Sequence, residues 1–269
     1  MRRVLVYMLL AVGALTFVYP FIWMLSASLA SAEDLRQLTL LPAKPTLANY
    51  LALGERIPIW RALANSVFVA AVVTAGVLVL GSLVGFALGQ LRFRGREGIF
   101  YVLLFTMTLP FQITLIPNYV IIVELGWVDT YWALTVPFLM NAFAILLFRQ
   151  AFKAMPRDLI DAARVDGAGT LRIIFGLLWP NMRPTLITIG ILTFMATWNE
   201  VLWPLIVIRD EALMTMPQLV TLFAVGGRAD GQLGVKLAAA VALALPIVVA
   251  YLFAQKHFIR SMASSGLKG

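Results

Sequence analysis

The stretch Asp161-Ala162-Ala163-Arg164-Val165-Asp166-Gly167-Ala168 lies in a charged segment between two long apolar runs. Its spacing predicts a short helix. Pro156 suits the first helical position, with its fixed φ and missing N–H. Gly167 suits the end, because glycine accepts the left-handed conformation that closes helices. Arg157 and Asp161 stand four apart, and Asp161 and Arg164 three apart, so either pair can meet along one face. Leu159, Ile160, Ala163 and Val165 remain as apolar surface, too short to cross a bilayer. A second helical run is expected from Leu171 to Trp179, with Thr170 as N-cap and Pro180 as its stop. A helix–turn–helix held just outside a membrane is a shape suited to docking another protein.

The rest of the chain is far more apolar. Of 269 residues, 61% are hydrophobic and 13% charged, with mean hydropathy +0.91. A soluble domain is usually about 45–50% apolar and about 25% charged. The chain therefore reads as an all-α polytopic membrane protein. Runs long enough to cross about 30 Å of hydrocarbon cover residues 4–29, 63–91, 99–123, 132–148, 185–208 and 237–258, so six transmembrane helices are expected. The segments on one side of these runs hold 14 of the 21 basic residues, among them Arg92, Arg94, Arg96, Arg157, Arg164 and Arg172. The other side holds the remaining 7, including Lys44, Arg209, Arg228 and Lys236. That bias places both termini in the cytoplasm.

Arg2-Arg3, the first apolar run and Ala30-Ser31-Ala32 imitate a secretory signal. The run is much longer than a signal core, so it is read as a retained helix. Pro42, Pro45 and Pro58 interrupt the outer segment that follows. Gly226, Gly227, Gly231 and Gly234 mark a second outer loop.

Few residues could carry chemistry. Gly81, Gly85 and Gly89 recur every fourth position, which lets helix backbones approach closely in lipid. Glu200 is the carboxylate deepest in an apolar run, and such charges usually face a cavity or a partner. It follows Trp198 and Asn199. Asn65, Ser66, Thr106, Thr114 and Asn141 are further polar residues in spans. Thr108, Gln112 and Asn118 surround Pro110 and Pro117, where a broken helix exposes backbone to a cavity. Each suits either a structural hydrogen bond or a polar wall. Neither a Gly-x-x-x-x-Gly-Lys phosphate loop nor a zinc or serine-hydrolase motif occurs. The chain has no cysteine and only one histidine, His257, so no metal, cofactor or membrane-enzyme site is expected. No compact basic face with interleaved aromatics suggests nucleic acid.

The opening stretch resembles the cytoplasmic Glu-Ala-Ala loop of binding-protein-dependent ABC importer permeases. The pattern reads Asp161-Ala162-Ala163, then Gly167, then Leu177-Leu178-Trp179-Pro180, with Asp161, Leu177 and Trp179 replacing the usual Glu, Ile and Leu. Pro45-Thr46-Leu47-Ala48-Asn49-Tyr50, Asn65-Ser66, Phe93-Arg94-Gly95 and Trp198-Asn199-Glu200-Val201-Leu202-Trp203-Pro204-Leu205 extend the likeness. The chain is similar to the smaller maltose-permease-type subunit of the carbohydrate-uptake branch.

The resemblance implies a type I ABC importer permease fold in a prokaryotic inner membrane. It implies a first helix and extracytoplasmic segment over residues 1–60, a transmembrane domain over 61–258 with a coupling loop at 149–183, and a cytoplasmic tail at 259–269. It implies as partners a second permease subunit, two cytosolic ATPase subunits that hold ATP and Mg, and an extracytoplasmic solute-binding protein, beside lipid and a sugar. Coupling to the ATPases would fall to Arg157, Leu159, Ile160, Asp161, Ala162, Ala163, Arg164, Asp166 and Gly167. Read from the residues themselves, a solute path would draw on Thr108, Gln112, Asn118, Asn141, Asn199 and Glu200; of Asn199 and Glu200 the resemblance covers only Asn199. The glycine stripe would serve subunit packing. The alternatives are an ion-coupled secondary transporter and a permease for a sugar-like solute such as glycerol 3-phosphate.

Overall fold

The computed structural model describes residues 2–36, 41–225 and 232–266. Gly226, Gly227, Arg228, Gly231 and Lys268 lie outside the described residues. The described chain is helical throughout and clusters into two units.

The first unit comprises residues 1–63 and 216–249. Its first helix, α1 (Arg2–Ser28), exposes nearly every large apolar side chain, Phe17 at 80%. Two short helices follow, α2 (Ala32–Arg36) and α3 (Ala48–Arg56). The segment around Asn49 clasps the end of α1. Asn49 Nδ2 donates to the Ser28 and Ala30 carbonyls, both at 2.9 Å. Ser28 Oγ and Tyr50 Oη lie 2.7 Å apart. These side chains satisfy carbonyls that the helix end leaves without partners.

The second unit comprises residues 64–215 and 250–269. The helix α4 (Ile59–Gln90) enters it from the first. Then come α5 (Arg96–Thr106), α6 (Phe111–Glu124), α7 (Tyr131–Thr135, continued by a 3-10 turn to Phe138) and α8 (Ala142–Lys153). The charged segment forms α9 (Arg157–Val165), α10 (Thr170–Arg172), a π-helical turn (Ile173–Leu178) and α11 (Trp179–Asn181). After it run α12 (Arg183–Trp198) and α13 (Leu202–Val207), and the chain continues as α14 (Met216–Val225) and α15 (Leu233–Gly266), of which α14 and α15 up to residue 249 belong to the first unit.

The expectation of six transmembrane helices is corrected. Among the described residues two helices, Arg3–Ser28 and Ile59–Gln90, are long and apolar enough to cross a membrane, or up to four if each of two bent pairs is one span. Hydropathy had merged segments that the backbone breaks. The run at 99–123 splits at Pro110 and turns by 100°, and the run at 132–148 bends by 42° before Ala142. The run at 185–208 breaks between Trp198 and Leu202. Of the last helix, the described apolar stretch is Leu233–Val249.

The glycine stripe packs within this chain. A Cβ on Gly85 would stand 2.5 Å from Phe148 Cβ, one on Gly81 3.3 Å from the Phe148 ring, and one on Gly89 3.4 Å from Phe152 Cβ. The face that the sequence offers for subunit packing is thus occupied by α8, whose backbone needs the missing side chains to approach. Beside it Arg149 is buried, its guanidinium 3.7 Å from the Phe100 ring centroid. It donates to Glu97 at 2.7 Å and to the Leu88 carbonyl at 3.1 Å. One cation therefore ties α4, α5 and α8.

Asn65 is a structural latch. Its Nδ2 donates to the Ala212 and Met214 carbonyls, each at 3.0 Å, while its Oδ1 accepts from Tyr131 Oη at 2.7 Å. Nearby, Asp129 adopts φ 57° and accepts the backbone N–H of Asp210 at 2.9 Å and that of Arg209. Those N–H donors hold its carboxyl below the ordinary aspartate range.

Candidate functional site

Two features of the second unit stand out. The first is a cavity of about 260 Å³ bounded by α4, α7, α8, α12 and α13. Its polar wall is Asn141, Thr193, Thr197, Glu200 and Thr215, and its aromatic wall is Phe138, Phe143 and Trp203. The break between α12 and α13 builds much of it. Asn199 turns its Nδ2 back onto the Met195 carbonyl at 2.8 Å. Glu200 Oε1 accepts the Trp203 N–H at 3.1 Å. Glu200 thus supplies an acceptor to an N–H that the break leaves without one, while Asn199 adds a second bond to a carbonyl that already accepts its own N–H at 3.1 Å. Trp203 is fully buried and fixes α13 by donating Nε1–H to the Ala133 carbonyl at 2.8 Å. Asn141 caps α8 by accepting the Ala144 N–H at 2.9 Å. Thr215 Oγ1 is buried and has no partner, a polar atom that asks for a ligand or water.

Of the residues marked in the sequence as a path, Asn141 and Glu200 come together on this cavity. Thr108, Gln112, Asn118 and Asn199 are absent from its lining. Thr108 caps its own turn by donating to the Phe105 carbonyl at 2.8 Å. Gln112 is exposed and Asn118 half-buried on α6. Sequence reasoning did not single out Thr193, Thr197 and Thr215. The i, i+4 spacing of Thr193 and Thr197 was the available signal.

The second feature is α9 and its exit. Pro156 precedes the helix at φ −58°, ψ 130° rather than forming its first turn. The helix is exposed on nearly all sides, with Ile160 buried as its anchor and Val165 88% exposed. Asp161 pairs with Arg164 at 3.3 Å, both exposed. The alternative pairing with Arg157 does not form. Gly167 has φ 78°. Its N–H donates to the Arg164 carbonyl at 3.0 Å, and the Ala168 N–H donates to the Ala163 carbonyl at 2.9 Å. This bond pair is a Schellman closure, which requires a left-handed residue at that position.

The second helical run departs from expectation. Gly169, not Thr170, precedes it. It also runs through Pro180 into α11. The widened π turn sits directly before that proline, whose ring and missing N–H a regular α turn cannot accommodate. Buried Ile173, Ile174 and Leu178 hold this turn. A concavity of about 390 Å³ separates α9 from the end of α4, lined by Gln90, Arg92, Arg157, Ile160, Asp161 and Arg164. Among the described residues no group of three or more metal-ligating side chains forms.

This architecture has close counterparts. The structure superposes with a TM-score of 0.82 on a chain of a bacterial ABC transporter involved in import of the acidic polysaccharide alginate, at 27% identity over 95% of each chain. The chain is 33% identical over 258 residues to the arabinooligosaccharides transport system permease protein AraQ of Halalkalibacterium halodurans, covering 94% of this chain and 91% of that one. It is 34% identical over 223 residues to the sn-glycerol-3-phosphate transport system permease protein UgpE of Agrobacterium fabrum, covering 80% and 79%. Residues 78–264 match the family described as binding-protein-dependent transport system inner membrane component. The chain belongs to that family.

Proposed function

We propose that this chain is a permease subunit of an ATP-driven sugar importer and that the cavity behind Glu200 is part of its solute path. The observation that carries the reading is the likeness to the alginate-importer chain over 95% of both chains. The arabinooligosaccharide relative supports a sugar as solute. The protein is a multi-pass inner-membrane component. It works with a second permease subunit, ATPase subunits that bind ATP and Mg, and an extracytoplasmic solute-binding protein. It is not itself an enzyme.

The mechanism is alternating access. The transmembrane domain spans residues 61–258, and residues 149–183 form the loop that meets an ATPase subunit. Arg157, Leu159, Ile160, Asp161, Ala162, Ala163, Arg164, Asp166 and Gly167 present α9 to that subunit. Closure of the ATPase pair pushes α9. Ile160 and the buried face of the π turn carry the displacement into the helices around the cavity. Each step proceeds because ATP or the solute-binding protein prefers one of the two states. Asn141, Glu200 and the threonines offer hydrogen bonds to sugar hydroxyls, and the aromatic wall offers contact to the C–H faces. Membership of the family sets aside the ion-coupled secondary transporter.

Uptake of a labelled oligosaccharide into proteoliposomes holding the whole importer tests the reading. Uptake should require ATP on the ATPase side and survive an ionophore. Uptake that an ionophore abolishes, with ATP present, would overturn it.

A further inference from the structure

We propose that Glu200 makes the cavity an electrostatic filter, passing neutral polyhydroxyl solutes and rejecting those that carry phosphate or carboxylate. The inference rests on reading the cavity as the solute path, and it names the solute class that path takes.

The lining has one charged side chain among the described residues, and it is a carboxylate. No lysine, arginine or histidine faces it across the cavity. Its Oε1 is engaged with the Trp203 N–H, which leaves Oε2 to the cavity. A carboxylate oxygen accepts hydrogen bonds. It can therefore take O–H donors from a sugar. A phosphate or carboxylate brings acceptors and a charge of the same sign, so the pair repels. Most of the remaining wall is apolar or aromatic, and low polarizability strengthens that repulsion relative to water.

The other polar groups are neutral and matched to hydroxyls. Thr215 Oγ1 is buried without a partner. Thr193 and Thr197 lie four apart on α12. Asn141 uses its oxygen in capping α8, so its amide N–H groups remain to donate. At about 260 Å³ the cavity falls just below the range of about 300–1,000 Å³ that encloses drug-sized ligands. That size suits one sugar ring at a time. Rejection of the wrong solute by like charge is a common means of specificity, and it needs no extra contact to the right one.

The test reads the charge of the cavity directly. The chain has no cysteine, so Thr193→Cys in the assembled importer supplies one thiol on this chain. A second variant, Val165→Cys, supplies an exposed reference. Both are treated with methanethiosulfonates carrying a sulfonate or a trimethylammonium group, and modification of this chain is followed by mass spectrometry. The cationic reagent should be favoured at Thr193→Cys by about ten-fold more than at Val165→Cys. Adding Glu200→Gln, which keeps an oxygen for the Trp203 N–H, should bring the two ratios within about two-fold. Modification at Thr193→Cys should also block uptake. Blocked uptake with no charge preference would overturn the filter and leave the path standing. Modification that leaves uptake intact would overturn the path. The ratio without Glu200→Gln is decisive by itself if that variant does not assemble.

Discussion

Gly167→Val isolates the coupling element from the rest of the protein. At φ 78° a residue with a Cβ is strained, and a β-branched one more so. The cost is about 1–2 kcal/mol for the left-handed conformation alone. Steric clash adds nothing, because a Cβ at Gly167 meets no atom within 4 Å. The strain falls on the two closing bonds, Gly167 N–H to Arg164 and Ala168 N–H to Ala163. A nine-residue helix is marginal by itself, and only Ile160 is buried, so little else holds it. A loss of about 1–2 kcal/mol lowers the ratio of native to opened turn by roughly 5–30-fold, which a marginal helix registers as lost population. Insertion and pairing with the second permease should be unaffected. Solute-stimulated ATP hydrolysis by the reconstituted importer should fall by a similar factor. Gly167→Asn, which tolerates positive φ, should lose much less. Full solute-stimulated hydrolysis and uptake in Gly167→Val would refute the reasoning.

Other changes should act in different ways. Asp161→Ala should be mild, within about 1 kcal/mol, because its ion pair with Arg164 is exposed; ATPase-subunit affinity measures this. Gly85→Val should lower the thermal midpoint of the complex, since its side chain would overlap Phe148 on α8, an overpacking cost of about 1–3 kcal/mol. Trp203→Phe should destabilise by about 1–3 kcal/mol by orphaning the buried Ala133 carbonyl, read by the same melt. Asp129 has a depressed folded-state value. Its contribution is fully present above the ordinary aspartate value of 3.8 and is lost as pH falls through the depressed value. Asp129→Ala should remove that pH dependence and speed hydrogen exchange at the Arg209 and Asp210 amides.

Local signals were legible and long-range ones were not. The extent of α9 and its glycine exit follow from proline, glycine and i, i+4 spacing, all within a dozen residues. The breaks in the apolar runs escaped because hydropathy reads composition, not the course of the hydrogen bonds. Asn199 and Glu200 look like two polar interruptions in a span. In the fold they bond Met195 and Trp203 and end one helix and start the next. Thr108, Gln112 and Asn118 were grouped by nearness in sequence, but the 100° turn between α5 and α6 takes that group elsewhere. Thr215 could not be found at all. Its place on the cavity depends on α4 and α8, which line the same cavity and lie far away in sequence.

The central claim is that ATPase events at α9 reach the cavity at Glu200. The most direct measurement is the rate at which a neutral thiol reagent modifies Thr193→Cys in the assembled importer, with and without a non-hydrolysable ATP analogue. The account predicts a nucleotide-dependent change of about ten-fold or more, as expected for a switch between two states of differing access. It also predicts that Gly167→Val abolishes the change. A rate indifferent to nucleotide in the importer with native Gly167 would contradict it.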